Sequence, residues 1–522
     1  MTTFTRQIFR RSLLWRAIAV GSTLLFLVGN LSASDISVPL MLNSRPGAAY
    51  TIYLDFGGFS FSGNWGNNAS YTPGVTPAYD IDNNATMFSA TELADMKEIW
   101  SRVAEKYSWV NVNVTTIDPA PPGDNDAQRQ TYYDNTGRLM HTVIGGDGSW
   151  TGGGGISYLG VTGKSQSGSN GTHTDWVFSE NLGGGYPQFV GEAAAHENGH
   201  GFGLSHQSDY NGNTLINEYS SGDSLRAPIM GDSYSAQRGL WKIGTAHVNN
   251  NGPTTQNDIS VILNTTNNPS IAIANDGIGH SCSTATPLQM NGTSINFNTA
   301  EGVIAPSSTN PSTSGLSNYT NDFWSFSTAG ATVNITANAG RESIMPGIAD
   351  PGATLDASLE ILNSSGTVVA SSITSSLSGT ISTHLDAGSY YAEVLSAADP
   401  SNTGFFDVGS YFLTGSIMPM VLGDFNQDGH LTSADISAME SALANVTSAE
   451  ATYGANYLSI GDINHDGKVT NADLQALENL LKAGGGSSNQ VPEPASLVLL
   501  AFGTLAVVGV NCAAMLRNRF NQ

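Results

Sequence analysis

Cysteine and basic residues are both scarce in this chain. Its 522 residues include 2 cysteines, Cys282 and Cys512, so no framework of disulfides can hold the fold together. Lys and Arg number 19 against 43 Asp and Glu, which gives a formal net charge of −24. That balance argues against nucleic acid as a partner, because phosphate binding requires basic patches. Stability must instead come from hydrophobic cores and bound metal ions.

Charged residues of both signs are sparse as well, at 12% of the chain. Glycine is abundant, with 59 residues, and Ser, Thr and Asn are frequent. This composition is typical of β-rich extracellular modules joined by polar loops rather than of a helical cytosolic enzyme. The length predicts roughly two to four domains.

The most informative segment reads HExxHxxGxxH and begins at His196. On a helix, residues four apart lie about 40° apart around the axis, so His196 and His200 can hold one metal ion. Gly203 can adopt a positive φ and end the helix, after which the chain can bring His206 as a third ligand. Three protein ligands leave a fourth position for water, which is typical of catalytic zinc. Glu197 would stand beside the ion, placed to take a proton from the zinc-bound water.

This motif resembles that of the metzincin zinc endopeptidases, whose catalytic domain is an α/β (α+β) fold. Metzincins carry a Met-containing turn after the third histidine, and the segment Ala227-Pro228-Ile229-Met230-Gly231 lies where that turn is expected. The resemblance implies that Met230 forms an apolar floor beneath the zinc; an ordinary core methionine is the alternative. A tyrosine near this turn acts at the metal in some metzincins, which makes Tyr234 a candidate catalytic residue. Gln207, directly after the third histidine, matches none of the common metzincin families and leaves the subfamily open.

Residues 45–275 are predicted to form this catalytic domain. The alternation of Tyr50–Phe56 predicts a first strand, and Thr91–Tyr107 has helical spacing, with its first residue as the N-cap. Thr174–Phe178 is a predicted strand ahead of the zinc-motif helix. Ile156–Leu159 follows a glycine-rich loop and is predicted to be an edge strand over the cleft, against which an extended substrate would pair.

Residues 276–418 are predicted to form an all-β sandwich. Its strand-like segments are bounded by Gly, Asp and Ser, and include Asp322–Phe326, Leu355–Leu362 and Ala387–Val394. These segments resemble the bacterial pre-peptidase C-terminal domain, a β-sandwich appended to secreted proteases. The resemblance implies an accessory role, such as attachment to a surface or substrate, without catalytic residues. A sandwich of no defined role is the alternative.

Residues 422–483 contain a tandem repeat of a calcium-loop pattern. Side-chain oxygens fall at loop positions 1, 3, 5, 9 and 12, with glycine at 6 and a backbone carbonyl at 7. The ligands predicted in the first loop are Asp424, Asn426, Asp428, His430, Thr432 and Asp435. Those predicted in the second loop are Asp462, Asn464, Asp466, Lys468, Thr470 and Asp473.

Each of these loops is followed by a helical pattern but has none directly before it. This loop–helix duplication resembles a dockerin, a small α-helical calcium module. The resemblance implies docking on a cohesin-like scaffold partner; a purely structural calcium module is the alternative. Without calcium the module would be poorly folded.

Both ends of the chain resemble targeting signals. Arginines followed by the apolar run Ala17–Val28 predict a secretory signal peptide over residues 1–33, with an uncleaved anchor as the alternative. After a linker at 484–490, residues 491–519 combine Pro-Glu-Pro, an apolar stretch long enough to span a bilayer and a basic tail. That order resembles the bacterial PEP-CTERM sorting signal, which implies export and removal of the tail at the membrane. A plain C-terminal membrane anchor is the alternative.

These features predict a multidomain zinc endopeptidase, with Zn²⁺ and Ca²⁺ as its metals, that is secreted or displayed on a bacterial surface and hydrolyses extracellular proteins or peptides. A rival hypothesis is a surface adhesion or matrix protein whose metzincin domain is vestigial or only self-processing. The intact motif weighs against the rival, because a non-catalytic scaffold has no need of Glu197.

Overall fold

The computed structural model describes residues 38–84, 86–164, 171–248, 252–312, 318–341, 349–397, 404–454 and 456–484. The predicted signal peptide, nearly all of the predicted linker and the C-terminal sorting segment lie outside these residues. Within them, no helix combines the length and the apolar character that spanning a bilayer requires. The described residues form two compact units. One, called the second unit below, comprises Ala329–Thr332, His384–Asp386 and the described residues from Met418 onward. The remaining described residues form the first unit.

The first unit begins with a mixed sheet and the helices packed on it. The strands of this region are β1 (Tyr50–Asp55), β2 (Phe59–Ser60), β3 (Val75–Thr76), β4 (Val112–Thr115), β5 (Leu139–Ile144), β6 (Gly155–Ile156) and β7 (Thr174–Val177), of which β2 and β3 form a separate two-stranded sheet. Its helices are α1 (Ala90–Lys106), α2 (Asp126–Asn135) and α3 (Pro187–Phe202). The sheet order is β4-β1-β5-β7-β6, parallel except for the antiparallel edge strand β6. Strands β4, β5 and β7 are buried along their whole length, as expected for parallel strands covered on both faces.

Helix α1 confirms the predicted helix, but its N-cap is Ser89 and not Thr91. The Ser89 side chain accepts a hydrogen bond from the Glu92 N–H at 3.3 Å, and the Glu92 carboxylate accepts one from the Ser89 N–H at 2.7 Å. This reciprocal capping box satisfies two backbone donors at once, so it fixes the helix start ahead of Thr91. The predicted edge strand lies at the edge of the sheet, but only Gly155 and Ile156 of it pair with β7.

Short strands follow the zinc-motif helix. They are β8 (His206–Gln207), β9 (Asp209–Asn211), β10 (Thr214–Asn217), β11 (Arg226–Pro228), β12 (Arg238–Leu240), β13 (Ile243–His247) and β14 (Pro253–Asn257), before helix α4 (Asp258–Ile262). Strand β8, which contains the third histidine, pairs with β13. Strands β11 and β12 pair in parallel and enclose the segment 229–237, called the Met turn below.

Residues 276–418 are called the sheet domain below, and those of them that the structure describes are all-β as predicted. Their strands are β15 (Thr286–Pro287), β16 (Met290–Asn291), β17 (Ser294–Ile295), β18 (Glu301–Ile304), β19 (Asp322–Ala339), β20 (Ala357–Asn363), β21 (Val368–Ser372), β22 (Ser378–Ser396) and β23 (Gly409–Pro419). All nine belong to one hydrogen-bonded sheet.

Buried polar contacts join the sheet domain to the rest of the first unit. The Glu105 carboxylate of α1 accepts hydrogen bonds from the Ser410 N–H at 3.1 Å and the Thr354 hydroxyl at 3.1 Å. Burial raises the pKa of Glu105 above its usual value. The segments predicted as two domains are therefore held together by specific buried bonds within one compact unit.

The second unit contains the predicted calcium repeat. Its helices are α5 (Ser433–Ala444), α6 (Val446–Tyr453), α7 (Asn456–Gly461) and α8 (Asn471–Lys482). Helix α7 directly precedes the second loop, contrary to the expectation that neither loop has a helix before it. The cause is packing, because Tyr457 and Ile460 of this short segment are buried in the module core with Phe425.

A buried ion pair joins α1 to the zinc-motif helix and provides a test of this packing. Lys106 Nζ lies 2.7 Å from Glu192 Oε1, with both side chains excluded from solvent. Removing one partner leaves an uncompensated buried charge, so we expect Lys106→Met to lower the free energy of unfolding by about 3–5 kcal/mol in urea titrations. Glu98→Gln removes a partly exposed ion pair on the same helix and should cost less than about 1 kcal/mol. Equal losses from the two variants would contradict this account.

Candidate metal centre and active site

Helix α3 carries the first part of the motif on a buried platform. Pro187 occupies its first turn, and the small residues Ala193–Ala195 are buried where the helix crosses the core. Gly203 ends the helix with φ +107°, as predicted, and the Leu204 N–H then bonds to the Gly199 carbonyl at 3.0 Å. A left-handed residue at this position turns the chain back towards the helix.

The three histidines of the motif converge. His196, His200 and His206 each present one ring nitrogen, and the three atoms lie within 4.8 Å of one another. The Nε2 atoms of His200 and His206 are 3.0 Å apart. That spacing allows both nitrogens to bind the same metal ion, since Zn–N bonds are about 2.0–2.1 Å long.

Backbone carbonyls orient two of the imidazoles. His196 donates from Nδ1 to the Ile229 carbonyl at 2.7 Å, and His200 donates from Nδ1 to the Leu204 carbonyl at 2.7 Å. These bonds place the proton on Nδ1 and leave Nε2 as the free donor to a metal. Burial lowers the pKa of His196 to about 3 and that of His200 well below its usual value, with charge repulsion among the histidines adding to the effect. Neutral imidazole is the form that binds zinc, so the donor set fits that ion.

The third imidazole is held by two residues that sequence reasoning missed. His206 Nδ1 lies 3.0 Å from Glu218 Oε1, and the Tyr219 ring packs against that of His206 at a tilt of 39°, with centroids 4.2 Å apart. A carboxylate behind a ligating histidine is a common outer-shell partner at zinc sites. No spacing rule marks Glu218 and Tyr219, because the β9–β10 hairpin that delivers them has no fixed length in the motif.

Glu197 lines the same cleft as the three histidines and is largely buried. Its Oε1 would be 2.5 Å from a Cβ atom built on Gly155, so the edge strand needs glycine to approach this carboxylate. Burial raises the pKa of Glu197 well above its usual value, and the nearby carboxyl of Asp175 raises it further. The cleft thus contains a carboxyl group together with the three converging nitrogens.

The Met turn packs against the zinc-motif helix. Met230 is fully buried, and a Cβ atom built on Gly199 would meet its sulfur, so the helix rests directly on this side chain. Tyr234 lines the cleft, with its ring 5.5 Å from that of Phe189. Burial, followed by the charge of Glu197, raises the pKa of Tyr234 above its usual value, so its hydroxyl stays protonated at neutral pH.

A cleft of about 680 Å³ opens onto the histidines and Glu197. The glycine-rich loop 151–155 and strand β6 form one wall, and Tyr219, Tyr234 and Asp232 contribute to the rest. Among the described residues that line it, the charged side chains other than histidine are all acidic. The cleft is large enough for several residues of an extended peptide, given that ligand pockets span about 300–1,000 Å³.

Asp175 on β7 is a buried carboxyl whose titration can be tested. Within the described part of the chain, neither of its oxygens makes a hydrogen bond of normal geometry. Burial raises its pKa to about 8, although the Thr142 and Ser157 hydroxyls act in the opposite direction. The protonated form therefore predominates in the folded protein at neutral pH.

Because the folded pKa of Asp175 exceeds the unfolded one, its contribution to stability is complete below about pH 4 and is lost as the pH rises towards 8. We expect Asp175→Asn to become more stable than the wild type by roughly 1 kcal/mol per pH unit across this window. Urea unfolding at pH 5, 7 and 8.5 measures the difference. A constant difference over this range would show that Asp175 is ionised in the folded protein.

The two calcium loops have matching geometry. In each loop, the carboxylate at position 1 accepts hydrogen bonds from backbone N–H groups at positions 5 and 6, and the carboxylate at position 12 accepts from positions 3 and 9. The residues involved as acceptors are Asp424, Asp435, Asp462 and Asp473. Burial raises the pKa of Asp424, and the adjacent charges of Asp435 and Asp428 add to it. Several acidic oxygens held together in this way fit a hard divalent cation.

Calcium should order this module. Metal-free full-length protein should show rapid amide exchange over residues 422–482 and gain protection when Ca²⁺ is added, because the ion neutralises the clustered carboxylates. The double variant Asp435→Asn, Asp473→Asn should not gain protection. Hydrogen exchange read by mass spectrometry checks both. Full protection of the metal-free wild type would refute the expectation.

Comparison with known proteins concerns the two C-terminal modules. Residues 422–482 match the family model described as the Dockerin type I domain. Dockerin domains bind calcium and are typical of extracellular proteins, which supports the predicted ion and is consistent with export. A solved structure, the pre-peptidase C-terminal domain of collagenase from Bacillus anthracis, is 14% identical over 24% of this chain and 90% of its own, with a TM-score of 0.15. No curated protein matches the chain. Over residues 422–482, the chain is thus similar to dockerin type I domains.

Proposed function

We propose that this chain is an exported, metzincin-like zinc endopeptidase that hydrolyses peptide bonds of extracellular proteins. One observation carries the proposal: three histidines present converging ring nitrogens at an open cleft that Glu197 also lines. Structural zinc sites are closed by a fourth protein ligand, whereas the described residues around this centre provide only the three histidines. An open position at the floor of a cleft is the arrangement that hydrolysis needs.

His196, His200 and His206 would hold the zinc ion. The bound ion would supply Lewis acidity, lowering the pKa of a water molecule and polarising the carbonyl of the substrate. The hydrogen bonds on the Nδ1 atoms would keep the imidazole rings directed at the ion throughout the reaction.

Glu197 would serve as the general base and then as the general acid. Its carboxylate would accept a proton from the attacking water and deliver it to the departing amine. Its place beside Gly155 limits the space around it, so the proton acceptor faces the cleft at a defined position. Such positioned proton transfer typically contributes about 10²–10⁴-fold in rate.

An extended substrate would pair with strand β6. This strand is the antiparallel edge of the sheet, and Gly155 and Ile156 line the cleft. An unpaired strand edge offers backbone donors and acceptors to a peptide, which positions the scissile bond independently of its side chains. The glycines of loop 151–155 would let the peptide backbone come close.

Two tyrosines are candidates to donate a hydrogen bond to the carbonyl oxygen as charge develops on it. Tyr234 is the residue suggested by the metzincin resemblance, and Tyr219 lies against the ring of His206. Burial raises the pKa of both hydroxyls, so both remain donors at neutral pH. A donor of this kind is typically worth about 10²–10³ in kcat. Comparing Tyr234→Phe with Tyr219→Phe assigns the role to one of them.

Export and attachment complete the proposal. The signal peptide over residues 1–33 would direct secretion, and the PEP-CTERM-like segment 491–519 would bring the protein to the cell surface. The dockerin-like module would dock the enzyme on a cohesin-bearing scaffold, since dockerin domains bind cohesins. Its match to the dockerin type I model supports that partner.

Replacing Glu197 by Gln tests the mechanism. The variant should bind zinc as the wild type does but cleave casein or a peptide library about 10²–10⁴-fold more slowly, because the amide cannot accept the proton. Turnover assays with and without chelator, together with metal analysis, give both quantities. Glu180→Gln, which changes an exposed carboxylate close to the zinc-motif helix, is the control and should retain full activity.

Undiminished proteolysis by the Glu197→Gln variant would contradict the mechanism. Zinc binding by a wild-type protein that cleaves no peptide in the library would instead favour the rival hypothesis of an adhesion or matrix protein with a vestigial or self-processing domain.

A further inference from the structure

We propose that Asp356, in the sheet domain, is a positioning residue for the zinc site, because it holds the two strands from which the Met turn projects. The sheet domain would then be an integral part of the catalytic unit rather than a separable accessory. The consequence for zinc rests on the proposed function, whereas the consequence for the Met turn does not.

The arginines that flank the Met turn meet at one carboxylate. Strands β11 and β12 pair in parallel, with Arg226 directly opposite Arg238. Asp356 Oδ1 lies 2.8 Å from Arg238 Nη1, and its Oδ2 lies 3.4 Å from Arg226 Nη2. One side chain of the sheet domain therefore ties together the first residue of β11 and the first residue of β12.

The Met turn, in turn, contacts two parts of the zinc motif. The Ile229 carbonyl accepts the bond from His196 Nδ1 at 2.7 Å, and the Met230 carbonyl accepts one from the Gln207 N–H at 2.8 Å. Gln207 follows the third histidine directly, so the turn fixes the first ligand and the backbone next to the last one. A shift of β11 relative to β12 would move both acceptors.

The charged groups of this arrangement are buried, which makes their geometry strict. Asp356 and Arg238 have side chains about 2% exposed, and that of Arg226 is 8% exposed. The Asp356 N–H also donates to Asp407, whose other oxygen accepts from the Ser396 hydroxyl at 2.6 Å, so the backbone that carries the Asp356 carboxylate is itself held in place. Buried ion pairs add little net stability compared with apolar packing, but their geometry is strict. Such a group suits positioning better than it suits general stabilisation.

A second buried carboxylate that joins the sheet domain to the preceding residues offers a comparison. Glu105 joins α1 to the sheet domain through hydrogen bonds with Ser410 and Thr354, which both lie outside the Met turn. Loss of the Glu105 hydrogen bonds should weaken the attachment of the sheet domain to α1. Loss of the Asp356 ion pairs should in addition let β11 and β12 shift relative to each other.

The test uses the full chain and amide exchange over residues 226–240, which requires no bound zinc. In Asp356→Asn, exchange at the hydrogen-bonded amides of the Met turn should be about tenfold faster than in the wild type. The matched control is Asp322→Asn, another fully buried carboxylate of the sheet domain, whose partners His280 and Tyr411 lie within that domain. The control should leave exchange in 226–240 unchanged. Asp356→Glu, which keeps the charge, should give an intermediate increase and covers the case in which Asp356→Asn does not fold.

Zinc affinity provides the second readout. Competition with a chromogenic chelator should give a dissociation constant about tenfold higher for Asp356→Asn than for the wild type, at the lower end of the 10–100-fold losses seen for outer-shell partners of zinc ligands. Glu105→Gln should change it less than Asp356→Asn does.

Unchanged exchange of the Met turn in the Asp356 variants, or an equal increase in Asp322→Asn, would overturn the proposal. Failure of the wild type to bind zinc would refute the proposed function alone, because the exchange experiment still decides whether Asp356 holds the turn.

Discussion

The hydrogen bonds on the Nδ1 atoms of the motif histidines are the interactions on which the site depends. An imidazole has two nitrogens. A hydrogen-bond acceptor at Nδ1–H fixes the tautomer and the orientation of the ring, so that Nε2 faces the metal. The acceptors come from different places: the Met turn supplies Ile229, the end of the zinc-motif helix supplies Leu204, and the β9–β10 region supplies Glu218. The ligand set is therefore only as well ordered as the three segments behind it.

Buried charges hold two of those segments, the zinc-motif helix and the Met turn. Glu192 on the zinc-motif helix pairs with Lys106, and it also accepts a bond from the Ser233 hydroxyl of the Met turn at 2.8 Å. Each buried charge is costly unless it is paired, so each fixes the relative position of the elements that carry its partners. The zinc-motif helix and the Met turn are thus fixed relative to each other on one side of the cleft, and the short, glycine-rich edge strand lies on the other. A metal-dependent hydrolase needs both precisely held ligands and a cleft that admits the substrate.

Local patterns predicted the local features of this chain well. The spacing of the zinc motif, the left-handed Gly203 and the position of Met230 could all be read from the sequence, because each depends on residues a few positions apart. The contacts of Glu218, Tyr219 and Asp356 could not, since they join segments far apart in the chain through loops of unconstrained length. The N-cap prediction at Thr91 was wrong although the determinant is local, because Ser89 and Glu92 form a reciprocal capping box that starts the helix two residues earlier.

The most direct test of the central claim is diffraction from crystals of the full-length protein at the zinc absorption edge. The account predicts one anomalous peak about 2.0–2.1 Å from the Nε2 atoms of His196, His200 and His206, with no fourth protein ligand. Zinc bound through an Nδ1 atom, bound elsewhere, or absent from these three histidines in zinc-containing buffer would contradict it.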